Sequence, residues 1–123
     1  MSPVVVCTLD QLDEDFPFVA EVEGVEVAIV RTQGALYAIK NECSHADVAL
    51  SEGEVDDCHL ECWMHGSRFN LRTGVPDSLP ATQNVPVYVV SLESDAPNSA
   101  VFVDVTADAS LVAPPSVSIG LKG

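Results

Sequence analysis

The sequence predicts an all-β scaffold with a loop-rich subdomain inserted in its middle, and three observations carry that expectation. Valine dominates an apolar fraction of 47%, and β-branched side chains pack well on pleated surfaces. Short alternating apolar runs recur, separated by Gly-containing turns. Between Asn41 and Pro86 that rhythm breaks into short strand-like pieces among Gly, Ser and Asp, and all the histidines lie there.

In chain order, Val4 to Thr8 reads as a first strand. Leu9 to Asp15 follows as a helical turn capped by Thr8 or Asp10. Phe18 to Glu23 alternates, Gly24 turns, and Val25 to Arg31 alternates again, which is a hairpin pattern. Thr32-Gln33-Gly34 turns once more into a third strand, Leu36 to Lys40. Beyond the insertion, Pro86 to Glu93 and Ala100 to Val105 return to strand across the turn Ser94 to Asn98. The 123 residues suffice for one domain, placed at 1–108 with the inserted subdomain at 41–85. Residues 109–123, with Pro114-Pro115, read as a flexible tail, although Val117, Ile119 and Leu121 alternate as an edge strand would.

The net charge is −14, and only Arg31, Lys40, Arg68, Arg72 and Lys122 are cationic. Such a surface repels nucleic acid and anionic lipid; it serves solubility or steers the chain toward basic patches on proteins. No run approaches the roughly 20 apolar residues of a membrane span. The start, Met-Ser-Pro-Val, lacks the basic and apolar segments of an export signal, so a cytoplasmic location is expected. In that compartment thiols stay reduced, and clustered cysteines point to metal or redox chemistry.

The insertion holds Cys43-Ser-His45, then sixteen residues, then Cys62-Trp-Met-His65-Gly-Ser. Residues two apart in an extended loop point to the same side, so Cys43 and His45 can address one centre. Cys62 and His65 have the spacing of a tight turn, and Gly66 leaves the backbone free to close it. Two centres suit a Cys2His2 set: tetrahedral zinc, or a [2Fe–2S] cluster with two cysteines on one iron and two histidines on the other. Zinc sites usually draw like pairs, Cys-x-x-Cys and His-x-x-x-His, whereas mixed pairs let each loop reach both irons.

These residues resemble the Rieske motif. The neighbouring Cys43-Ser-His-Ala-Asp-Val-Ala-Leu-Ser-Glu-Gly53 and Arg68-Phe-Asn-Leu-Arg-Thr-Gly74 are similar to bacterial Rieske ferredoxins of ring-hydroxylating oxygenase systems. Leu79-Pro80-Ala-Thr82 is similar to the proline-containing loop that covers the cluster in that family. The resemblance spans residues 4 to 105 and implies a Rieske iron–sulfur domain: an antiparallel β-sandwich with one [2Fe–2S] cluster in a loop-rich subdomain at one tip. It implies Cys43, His45, Cys62 and His65 as ligands, with Ser67, Trp63 and Pro80 around them. It further implies a one-electron carrier between a reductase, flavin-dependent by resemblance, and a terminal acceptor such as a non-haem iron oxygenase. Electron supply to iron–sulfur cluster assembly, and a structural zinc module, are the alternatives.

High-potential relatives in respiratory complexes resemble this motif but link the two loops by a disulfide, at positions occupied here by Val48 and Met64. They also carry a tyrosine where this chain has Phe69. Both differences predict a potential at the low end of the Rieske range. A catalytic oxygenase subunit needs a further 2-His-1-carboxylate iron, and with two histidines on the cluster only His59 remains. Cys7 reads as a core residue and His59 as a surface one. Cys58 reads as a strand residue entering the second loop. Trp63 and Met64 form either an apolar docking tip or the packing between the two loops.

Overall fold

The computed structural model describes residues 3–43, 48–63, 66–77, 83–94, 96–109 and 115. Its described strands are β1 (Val4–Thr8), β2 (Phe18–Val22), β3 (Val25–Thr32), β4 (Ala35–Lys40), β5 (Val55–Asp56), β6 (His59–Glu61), β7 (Arg68–Asn70), β8 (Val87–Leu92) and β9 (Ala100–Asp108). Short 3-10 turns occupy Leu9–Gln11 and Leu50–Glu52, and no α-helix occurs among the described residues. Gln11 Oε1 accepts the Thr8 backbone N–H at 2.9 Å, which closes the first of these turns where Thr8 begins it.

Hairpin turns set the order of the larger sheet. Glu23-Gly24 and Gln33-Gly34 have positive φ at both positions, the type I′ geometry whose twist matches the flanking strands. They hold β2, β3 and β4 in continuous register, from Phe18↔Ile29 to Val22↔Val25 and from Val27↔Lys40 to Thr32↔Ala35. Strand β8 joins β4, and β9 and β1 complete an antiparallel sheet of order β1-β9-β8-β4-β3-β2. A bulge between Tyr88 and Val89 shifts the β8–β9 register, so Tyr88 faces Asp108 while Val89 faces Asp104. That shift lets β9 run to Asp108, beyond the Val105 end read from its alternation.

Strands β3 and β4 are buried on both faces, which explains their nearly continuous apolar sequence. One face presents Val27, Ile29, Leu36 and Ala38 to a core shared with Cys7, Val22, Tyr88 and Val101. The other presents Ala28, Val30, Tyr37 and Ile39 to a second core with Leu50, Leu60, Phe69, Leu71, Cys43 and Cys62. The smaller sheet, of order β5-β6-β7, lies over this second core. Two apolar faces on one pair of strands therefore join the scaffold to the inserted subdomain.

Cys7 is a core residue, as its sequence setting predicts, and burial, with Asp10 nearby, pushes its thiol up to about 11. Two expectations are corrected. Cys58 is not a strand residue: it is the second residue of the β5–β6 turn, with φ +60° beside Asp57 at +52°. A two-residue hairpin needs positive φ at both positions, and that demand outweighs the apolar alternation. His59 is half-buried rather than freely exposed: its side chain is 16% exposed at the start of β6. Of the tail, Ala109 and Pro115 are described, while the possible edge strand at Val117, Ile119 and Leu121 lies outside the described residues.

Candidate metal centre

The first loop leaves the end of β4. Asn41, 5% exposed, holds it at both sides: its backbone N–H donates to the Glu26 carbonyl at 2.9 Å and its side-chain amide to Glu26 Oε1 at 3.1 Å. Its Oδ1 accepts the Ser51 N–H at 2.7 Å, so one side chain links the start of the loop to its return. Within this frame the Cys43 N–H donates to the Val48 carbonyl at 3.0 Å, and Cys43 is 4% exposed. Asn41 escaped the sequence reading; the signal available was a polar residue directly after an apolar strand and two residues before a candidate ligand.

The second loop joins β6 to β7. The Cys62 N–H donates to the Ser67 carbonyl at 2.7 Å, and the Gly66 N–H to the Cys62 carbonyl at 2.9 Å. Gly66 has φ +80°, the left-handed conformation that this closure requires. Cys62 is 1% exposed and Ser67 fully buried, whereas Trp63 between them is half exposed. The structure thus brings Cys43 and Cys62 into one apolar core from two separate loops. Cys43 also lines a cleft with Lys40, Glu42, Gln83 and Asn84. His45, Met64, His65 and Pro80 lie outside the described residues.

Phe69 is fully buried beneath the loops, so an apolar ring fills this position with no hydroxyl. A charged group braces the small sheet nearby. Asp77 Oδ2 stands 3.4 Å from Arg68 Nη1 and 3.5 Å from His59 Nε2, while His59 Nδ1 lies 2.7 Å from the Asp57 carbonyl. Tyr37, under the β5–β6 turn, is pushed up to about 12 by burial and by its hydrogen bond with the Cys58 thiol.

Two thiols buried in one apolar core, each followed within three residues by a histidine in sequence, fit a centre that needs soft ligands and a dry surround. The Rieske [2Fe-2S] domain model matches residues 2–89. The naphthalene 1,2-dioxygenase system ferredoxin component of Pseudomonas putida is 37% identical over 73 residues, 59% of this chain and 70% of that protein. The ferredoxin of carbazole 1,9a-dioxygenase from Nocardioides aromaticivorans IC177 superposes with a TM-score of 0.74 at 38% identity, over 84% of this chain and 97% of that one. A chain from the complex of reduced oxygenase and oxidized ferredoxin in carbazole 1,9a-dioxygenase superposes at 0.73 with 29% identity, over 82% of this chain and all of that one.

The chain belongs to the Rieske [2Fe–2S] domain family. It is a ferredoxin-type electron carrier holding one [2Fe–2S] cluster, and it has no catalytic role of its own.

Proposed function

We propose that Cys43, His45, Cys62 and His65 bind the cluster and that the chain passes single electrons from a flavin-dependent reductase to a terminal non-haem iron oxygenase in the cytoplasm. The observation that carries the ligand assignment is the burial of Cys43 and Cys62 in one core from two loops, each with a histidine close behind in sequence. The bound cluster supplies a one-electron couple, and two neutral imidazoles in place of two thiolates make reduction easier than at an all-cysteine site.

The chain's own residues do the rest. Asn41 and Gly66 shape the two loops, and Leu60, Phe69 and Leu71 keep water from the cysteine side. Ser67 supplies a hydroxyl suited to a ligand sulfur, and Leu79-Pro80-Ala-Thr82 resembles the family's covering loop in sequence. With Phe69 in the tyrosine position and Val48 and Met64 in place of a disulfide, the potential falls at the low end of the Rieske span of about −150 to +300 mV. Trp63, half exposed beside Cys62, marks the docking tip, and a charge of −14 favours a partner with a basic rim. Transfer to that partner slows as salt rises.

Absorption and EPR spectra of the whole chain, before and after dithionite, test this reading. A coloured protein with a rhombic signal only when reduced, coupled to two imidazole nitrogens, is expected. His65→Cys should lower the midpoint by hundreds of millivolts, as a thiolate replaces a neutral ligand. A colourless protein holding one zinc ion overturns the proposal.

A further inference from the structure

The loop that carries Cys62 hangs from a very short hairpin. Strands β6 and β7 pair at His59↔Asn70, Leu60↔Phe69 and Glu61↔Arg68, too short a ladder to hold itself. The last pair stands directly before Cys62 and directly after Ser67, whose carbonyl accepts the Cys62 N–H. Leu60 and Phe69 turn inward to the core, so His59, Glu61, Arg68 and Asn70 share the opposite face.

Residues 75–77 extend this sheet beyond β7. The Asn70 N–H donates to the Val75 carbonyl at 2.9 Å, Phe69 bridges Pro76, and the Asp77 N–H donates to the Arg68 carbonyl at 2.8 Å. Asp77 is thereby placed beside Arg68, and its carboxylate crosses β7 to reach β6. Its Oδ2 stands 3.4 Å from Arg68 Nη1 and 3.5 Å from His59 Nε2. The Asp57 carbonyl, 2.7 Å from His59 Nδ1, orients the ring from its other side. One carboxylate thus joins three neighbouring segments at the mouth of the ligand loop. The setting is sheltered, with the His59, Arg68 and Asp77 side chains 16%, 31% and 37% exposed. Arg68 has a second acidic neighbour, Asp56, but at 3.8 Å and with an 82% exposed side chain. Solvent leaves an open pair of that kind nearly worthless, whereas a sheltered carboxylate shared by two partners and tied by its own backbone keeps its effect.

We propose that Asp77 is a positioning residue for the cluster: its carboxylate locks β6 to β7 under the loop bearing Cys62 and His65, and its charge lowers the midpoint potential. This role rests on the ligand assignment proposed above. The sign of the electrostatic part follows from charge. A reduced cluster gains one negative charge, which a nearby carboxylate disfavours and a nearby guanidinium favours. Loss of either Asp77 or Arg68 opens the lock, but the two losses move the potential in opposite directions.

The test compares the cluster-loaded, full-length native chain with Asp77→Asn, Arg68→Gln and Asp56→Asn, the last removing an equal charge from the exposed side of Arg68. Hydrogen exchange of the segment 59–70 by mass spectrometry, the rate of iron release to a chelator and the midpoint are read for each. Asp77→Asn should speed exchange and iron release at least about fivefold and raise the midpoint. Arg68→Gln should speed both in the same way and lower the midpoint, and it decides the matter if Asp77→Asn fails to fold. Asp56→Asn should stay within about twofold of the native chain in both rates. Unchanged exchange in Asp77→Asn, or an equal response in Asp56→Asn, overturns the proposal. Midpoints that shift the same way in Asp77→Asn and Arg68→Gln overturn it too, because mere loosening would do that. A native chain without a [2Fe–2S] spectrum overturns the ligand assignment and this role together, whereas a native spectrum with an inert Asp77 overturns this role alone.

Discussion

The two sheets solve the same problem in different ways. The large sheet builds itself: strands of five to nine residues, tight hairpins and long ladders give most of its order locally. The small sheet has strands of two or three residues, too short to stand alone. It is held instead by Leu60, Phe69 and Leu71 pressed onto the outer face of β3 and β4, and by close backbone approaches. The candidate metal centre belongs to this second, dependent part. The lesson is that loops bearing the ligands need few residues of their own when a rigid scaffold lends them a face.

The sharpest way to break that comparison is to remove a side chain from each core. Phe69→Ala should lower stability by about 3–5 kcal/mol and abolish cluster retention. Ile29→Ala, in the opposite core, should lower stability by about 2–5 kcal/mol yet leave the visible spectrum intact in the folded fraction. Thermal melts followed by both far-UV circular dichroism and cluster absorbance separate the two effects. Coincident loss of spectrum in both variants would erase the distinction between the sheets.

Gly74→Ala ranks next. Gly74 has φ +76°, and a Cβ there would stand 1.8 Å from the Val85 carbonyl oxygen, so the backbone must shift. A loss of about 3 kcal/mol, concentrated in the small subdomain, is expected from chemical denaturation. Asn41→Ala follows, at about 2 kcal/mol, because the Ser51 N–H loses its acceptor and Glu26 its donor. Faster release of iron to a chelator, with a smaller change in Tm, would place that effect in the loop rather than the sheet.

The smallest effect belongs to the large sheet and depends on pH. The Cys7 thiol is raised from 9.0 to about 11 in the folded chain. A raised acid stays protonated when folded, so its contribution is complete below pH 9 and disappears as the pH climbs to about 11. Denaturation curves over that interval should decline by roughly 1 kcal/mol more for the native chain than for Cys7→Ala. An identical decline in both would show that Cys7 does not titrate in the unfolded chain alone.

Much of this was legible beforehand, for identifiable reasons. The β1 limits, the Gly24 and Gly34 turns and the β8 run follow from local pattern, because strand alternation and turn conformation depend on near neighbours. Cys43 and Cys62 were legible as chemistry, because a thiol and an imidazole at close spacing suit few purposes. Cys58 was misread, and His59 read as more exposed than it is, because their positions depend on a hairpin turn and on Asp77, eighteen residues beyond His59.

By itself, then, the sequence determined an all-β chain, its hairpins and the ligand candidates, since each rests on neighbours along the backbone. Only the tertiary structure decided that β3 and β4 serve two cores at once, that Asn41 closes the first loop, and that Pro115 returns to Leu36. Those are contacts between distant segments. Their free energy comes from burial and from pairing backbone groups that local pattern leaves open.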